Sequence, residues 1–212
     1  MSEQEPSPAF WDGKTVTVTG GAGFLGKPVV RMLEGLGAEV TVPRSADFDL
    51  TEAAAADEAL SGAEVVIHLA ANVGGIGFNR RHPAPLVRDN MAMGLNVFEA
   101  ARKLETKRLV SVCTVCAYPK FLDVPFREDD IWNGYPEETN APYGVAKKAL
   151  LVQLQSYRQE YGTRGIFLIP VNLYGPGDHL DLATNHVIPA LIRKFIEAKA
   201  EGRDHVELWG TG

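Results

Sequence analysis

Apolar residues along this chain follow two alternating rhythms. KTVTVT (14–19), AEVTV (38–42), AEVVIHLAA (63–71), RLVSVCT (108–114) and GIFLIP (165–170) are short β-branched runs, and they predict five strands. Between them FLGKPVVRMLEGL (24–36), TEAAAADEAL (51–60), the segment 84–104 and the segment 143–161 repeat apolar positions at helical spacing and predict helices. Strands this apolar are buried on both faces, and strand–helix alternation implies parallel pairing through crossovers. The fold class expected is α/β, a doubly wound parallel sheet of the Rossmann type. Two stretches break the rhythm, 119–142 and 172–189, each after a strand's C-terminus, the edge where open α/β sheets bind ligands.

Composition narrows the picture. At 212 residues one core is expected, with MSEQEPSP opening a flexible tail over 1–12. A dinucleotide-binding domain would then fill 13–212, its substrate-binding region starting near 172. A net charge of -6 with no basic stripe argues against a nucleic-acid partner. No apolar run reaches the roughly 18 residues of a spanning helix, so no membrane partner is expected. With no secretory signal and two cysteines, the expectation is cytoplasmic. Cys113 and Cys116 form a C-x-x-C, but no further cysteine completes a metal site, and no metal is expected.

The chemistry starts at TGGAGFLG (19–26), where Gly20, Gly23 and Gly26 stand three apart between the first strand and first helix. In that context the glycines permit a tight turn, close approach of a pyrophosphate and close helix–strand packing, and the helix N-terminus offers free N–H groups. TVPRS (41–45) ends the second strand with Arg44 and Ser45, where an NAD site usually carries an acid; this favours NADP, with NAD possible. Arg44 can equally be a solvated loop residue.

Tyr143 and Lys147 form Y-x-x-x-K, which puts both on one helical face. Taken in order, the glycine loop, HLAANVGG, CTVCAYPK and this helix resemble the extended short-chain dehydrogenase/reductases. Within them VGGI (73–76), CAYPK (116–120), NAPYGVAK (140–147), NLYGPGD (172–178) and NHVIPALIRKF (185–195) are most similar to the GDP-L-fucose synthase family. The resemblance implies 3,5-epimerisation and NADPH-dependent 4-reduction of a GDP-4-keto-6-deoxy sugar, by a homodimer. Thr114, Tyr143 and Lys147 would serve the carbonyl and coenzyme, with Lys147 lowering the Tyr143 pKa; Cys116 and His186 would exchange protons. Phe24, Leu25, Asp49, Leu69, Ala70, Ala71 and Asn90 would join the glycines, Arg44, Tyr143, Lys147 and His186 around the coenzyme. Asn172, Lys194 and Trp209 would meet the substrate. Asn90 and Asn172 can instead cap turns, and His68 reads as structural or coenzyme-adjacent.

If strand geometry persists to 116, Thr114 and Cys116 share a face and Cys113 faces the core, so the two sulfurs point apart. Departures from the family are GGAG in place of a basic residue in the loop, Thr114 for a serine, a conservative exchange, Val115 for a second serine, and Lys194 for an arginine, whose bidentate fork an ammonium does not reproduce. The family's C-terminal substrate-binding segment continues past WGTG, so this region is expected to be truncated here. A nucleotide-sugar epimerase or dehydratase that recycles bound NAD, and a non-catalytic coenzyme-binding regulator, stand as alternative readings.

Overall fold

The computed structural model describes residues 8–178 and 187–208. Five parallel strands, β1 (Thr15–Thr19), β2 (Glu39–Thr41), β3 (Val65–His68), β4 (Arg108–Val112) and β5 (Gly165–Leu168), lie in the order β2-β1-β3-β4-β5. The helices are α1 (Pro8–Trp11), α2 (Gly26–Gly35), α3 (Ala53–Ala59), α4 (Ile76–Arg81), α5 (Pro83–Lys103), α6 (Ala141–Tyr161) and α7 (Val187–Ala200). Strand alternation divides the core between the sheet's two faces. Val16, Val18 and Val65 pack with Leu33 of α2, while Val66 and Leu109 pack with Ala56, Phe98 and Leu150 of α3, α5 and α6. This is the doubly wound arrangement, and its strand order reverses between β1 and β3. Their carboxyl ends, Thr19 and His68, stand side by side at the switch point where such sheets take ligands.

Differences from the sequence pattern have local causes. Within the segment read as a tail, Pro8–Trp11 forms a helical turn and Trp11 packs beside Val16 and Val18. The third strand stops at His68 instead of running to Ala71, because the chain turns away to line the switch point. The helix expected from Ala84 is preceded by α4, and the two are split at His82 (φ -130°, ψ 48°), since the residue before Pro83 is disfavoured in helical geometry. The long connection 119–142 is pinned by a 3₁₀ turn, Glu128–Trp132, whose Ile131 is buried with Cys113, Ala117 and Tyr118. On the sheet face away from α6, Ile166 and Leu168 of β5 are exposed.

Candidate active site

Two backbone walls form a cradle at the switch point. Gly20 (φ +71°) occupies the left-handed region, and a Cβ there would lie 2.7 Å from Ala70 N and 2.8 Å from Leu69 C. At Gly26, the first residue of α2, a Cβ would lie 2.2 Å from Gly20 O. Only glycine lets the turn, the helix start and the segment after β3 approach this closely, leaving the first turn of α2 facing the space above. Such a cradle fits the pyrophosphate of a dinucleotide coenzyme: its turn is lined by glycines, which carry no side chain, and the start of a helix borders it. Phe24 and Leu25 lie in the turn itself.

The opposite wall is fastened by Asn90, whose buried amide makes three hydrogen bonds within the protein. Its Oδ1 accepts from Asn72 N (3.0 Å) and its Nδ2 donates to Asn72 O (2.7 Å) and Leu86 O (2.7 Å). Asn90 therefore holds the segment following Leu69, Ala70 and Ala71 against α5. Asp49 is exposed, and its Oδ1 accepts from Thr51 N (3.0 Å) and Thr51 Oγ1 (2.7 Å), bonds that hold the carboxyl below its usual range. Arg44 lies exposed in a turn after β2, with no ion pair among the described residues.

Thr114 and Cys116 follow the end of β4. This strand ends at Val112, and Val115–Ala117 coil into a 3₁₀ turn capped by Thr114, whose Oγ1 accepts from Cys116 N at 3.1 Å. The strand alternation expected through 116 is thus replaced: the turn, not the pleat, sets the direction of Cys116. Cys113 does face the core, buried beside Ala117 and Tyr118. Burial pushes its thiol up to about 11, and both cysteines are free.

Helix α6 carries Tyr143 in its first turn and Lys147 one turn later, with Lys147 Nζ 5.7 Å from the Tyr143 ring centroid. The helix reaches the 3₁₀ turn because position 144 is glycine; a Cβ there would be 2.5 Å from Cys116 O. Thr114, Cys116, Tyr143 and Lys147 consequently share one end of the sheet. The expectation that Lys147 lowers the Tyr143 pKa does not hold in this structure. Burial, with Cys113 and Cys116 adding to it, pushes the phenol up, while burial pulls Lys147 down to about 8. At neutral pH the tyrosine therefore keeps its proton.

Sequence reasoning missed the groups that aim this helix. Glu137 Oε2 accepts from Asn140 N (3.1 Å), and buried Asn79 of α4 donates to Asn140 Oδ1 (3.1 Å), joining the VGGI segment to the start of α6. Lys148 donates to Gly134 O (3.2 Å) and holds the 119–142 connection against α6. NAPY marks Asn140 as a helix start, whereas nothing local marks Asn79. Of the substrate candidates, Asn172 is exposed after β5, and Lys194 of α7 donates to Glu207 O at 3.0 Å. His186 and Trp209 lie outside the described residues. Two open clefts, about 620 and 510 Å³ and lined by Phe10, Val65, Arg108 and Arg164, flank the opposite end of the strands and share no residue with this site.

A parallel dinucleotide sheet with a glycine cradle and a Tyr–Lys helix beside it defines a class of coenzyme-dependent enzyme folds. The model of the NAD dependent epimerase/dehydratase family matches residues 16–212, and the chain belongs to that family. Among curated relatives, a GDP-L-fucose synthase of Sinorhizobium fredii is 38% identical over 203 residues, covering 95% of this chain and 65% of the relative. A probable GDP-L-fucose synthase 1 of Oryza sativa is 40% identical over 205 residues, covering 94% and 62%. The solved GDP-mannoheptose C4 reductase of Campylobacter jejuni, with NADP bound, superposes with a TM-score of 0.83 at 26% identity, over 94% of this chain and 59% of that one. The chain thus spans less than two thirds of the length of these relatives.

Proposed function

We propose that this protein is a nucleotide-sugar epimerase/reductase that converts a GDP-4-keto-6-deoxy sugar by 3,5-epimerisation and NADPH-dependent 4-reduction. The observation that carries the reading is the convergence of Thr114, Cys116, Tyr143 and Lys147 on the glycine-cradle edge of the sheet, in a chain 35–40% identical to several GDP-L-fucose synthases. Gly20, Gly23 and Gly26 hold the pyrophosphate, and Leu69–Ala71 form the facing wall. Arg44 meets the 2′-phosphate, and its freedom from ion pairs among the described residues supports NADP over NAD. When bound, the reduced coenzyme supplies hydride to carbon 4.

The chain's own residues handle protons. A 4-keto group acidifies the hydrogens on carbons 3 and 5; Cys116 and His186 remove and return them on opposite faces. Thr114 and Tyr143 hydrogen-bond the ketone oxygen and stabilise each enolate. Thr114 is suited to this: its oxygen already accepts Cys116 N–H, which leaves its proton for the ligand. Tyr143 donates its proton as the oxygen of carbon 4 becomes a hydroxyl, and Lys147 orients the nicotinamide ribose.

Asn172, Lys194 and Trp209 belong to the substrate region that begins near 172, after the coenzyme domain starting at 13. We place the enzyme in the cytoplasm, in keeping with its free cysteines. We read it as a homodimer, supported by Leu95, Val145 and Val152, exposed on α5 and α6. The test is incubation of the protein with GDP-4-keto-6-deoxymannose and NADPH while following the absorbance of the reduced coenzyme. Stoichiometric oxidation supports the reading. Sugar conversion without coenzyme consumption would favour an epimerase that recycles its NAD.

A further inference from the structure

Three buried polar side chains lie in register across the middle of the sheet. Thr19 of β1 pairs with His68 of β3, and His68 with Ser111 of β4, each at most 1% exposed. They face the side covered by α3, α5 and α6, where Val66, Leu109 and Phe167 of the neighbouring sheet positions are apolar and Thr17 is a further buried polar residue. Burying a polar group without a partner is costly; Thr19 and His68 are bonded to each other, while Ser111 Oγ has no partner among the described residues.

The bonding at Thr19 is specific. Its Oγ1 lies 2.8 Å from His68 Nδ1 and accepts from Ala70 N at 3.3 Å. Nδ1 is the one acceptor within reach of the Thr19 hydroxyl hydrogen among the described residues, and with the Ala70 N–H already accepted, satisfying that buried hydrogen assigns Nδ1 as acceptor and the ring proton to Nε2. The ring is neutral in this arrangement, consistent with burial and the charge of Lys147, which pull its pKa down to about 3. Phe98 packs edge-on against the ring at 6.2 Å between centroids and holds its plane. The hydroxyl rotamer set by His68 thus adds to the backbone bond from Leu69 N to Thr19 O (3.0 Å) in holding Ala70, the residue that Gly20 approaches most closely.

We infer that His68 is a positioning residue for the coenzyme: through Thr19 Oγ1 it fixes the Leu69–Ala71 wall against the Gly20 turn and so sets the width of the cradle. The inference rests on the coenzyme reading above. It gives a role to a residue that no step of the proton chemistry uses.

Three variants separate positioning from packing. In His68→Asn the side-chain amide places an acceptor where Nδ1 stands, though it leaves a small void. His68→Leu fills the volume and leaves the Thr19 hydroxyl without an acceptor, and His68→Gln extends its amide toward the Nε2 position instead. Calorimetric titration with NADPH, alongside urea denaturation of each variant, reads both properties. His68→Leu and His68→Gln should bind NADPH about tenfold more weakly, the equivalent of one lost buried hydrogen bond, while His68→Asn stays near wild type even where it is the less stable protein.

Thr19→Val, which keeps the shape and removes the hydroxyl, should reproduce the His68→Leu loss and serves if a His68 variant does not fold. Affinity that follows stability across the series, with His68→Leu equal to wild type, overturns the inference and leaves the coenzyme reading intact. A wild-type protein that binds neither NADPH nor NADH overturns both.

Discussion

Replacing Gly20 with alanine should damage stability and coenzyme binding together, and two other glycines supply the controls that isolate the cause. At Gly35, near the end of α2, a Cβ meets nothing within 4 Å, and the backbone is helical. Alanine there should stabilise by about 0.5–1 kcal/mol through helix propensity and a less free unfolded chain. Gly62 (φ +77°) is left-handed, and its Cβ would also meet nothing. The left-handed penalty of about 1–2 kcal/mol, less the unfolded-state gain of about 0.4–1 kcal/mol, gives a net cost of about 1 kcal/mol. Gly20 has nearly the same φ, +71°, but its Cβ would sit 2.7 Å from Ala70 N, a backbone atom that cannot swing aside. Overpacking adds about 1–3 kcal/mol, for a total of about 2–4 kcal/mol.

Relief requires pushing the Leu69–Ala71 wall away, so NADPH affinity should fall at least tenfold in Gly20→Ala and stay unchanged in the other two. Urea denaturation and calorimetric titration of the three variants are the assays. Equal costs at Gly20 and Gly62, with coenzyme affinity intact, would refute the claim that the cradle is built by close backbone approach.

Tyr143→Phe should leave fold and coenzyme binding in place while lowering reduction by about 10²–10⁴-fold, the usual worth of a general acid; near-full activity in this variant would remove Tyr143 from the mechanism. Acid should destabilise the protein early. His68 titrates at about 3 when folded against 6.5 ordinarily, so below pH 6.5 the unfolded chain binds the extra proton and stability falls by at most about 1.4 kcal/mol per pH unit. Glu64 and Glu99, held down to about 2, add to the loss only below their ordinary 4.5. Urea midpoints at pH 7 and pH 5 should differ in the wild type and converge in His68→Asn; a pH-independent wild-type midpoint contradicts the buried neutral ring. Phe98→Ala, at a fully buried position between α5 and the sheet, should cost about 3–5 kcal/mol by the same denaturation assay; a loss under about 1 kcal/mol would show that the site collapses freely.

The sheet, its helices and the glycine cradle were legible because each is a local pattern: β-branched runs, helical spacing, three glycines at a strand–helix junction. Tyr143 and Lys147 were legible for the same reason, since four residues on a helix share a face whatever surrounds them. What escaped was decided by contacts across the fold. Nothing in RLVSVCT says that β4 stops at Val112, because the 3₁₀ turn after it is stabilised by the Thr114 cap and by α6 packing down at Gly144. The roles of Asn90, Asn79 and His68 depend on partners 18, 61 and 49 residues away. The Tyr143 pKa was misjudged because a charge four residues away is visible in a sequence, and burial is not.

The most direct test of the central claim follows two isotopes in one reaction. The protein is incubated in deuterated solvent with GDP-4-keto-6-deoxymannose and NADPH, and a parallel reaction in ordinary water uses NADPH deuterated at its transferable position. The account predicts a 4-reduced sugar carrying solvent deuterium at carbons 3 and 5 in the first reaction and coenzyme deuterium at carbon 4 in the second. Cys116→Ser should slow the first labelling without weakening NADPH binding. Recovery of the keto-sugar with neither label, or epimerised sugar formed while the NADPH remains unoxidised, would contradict it.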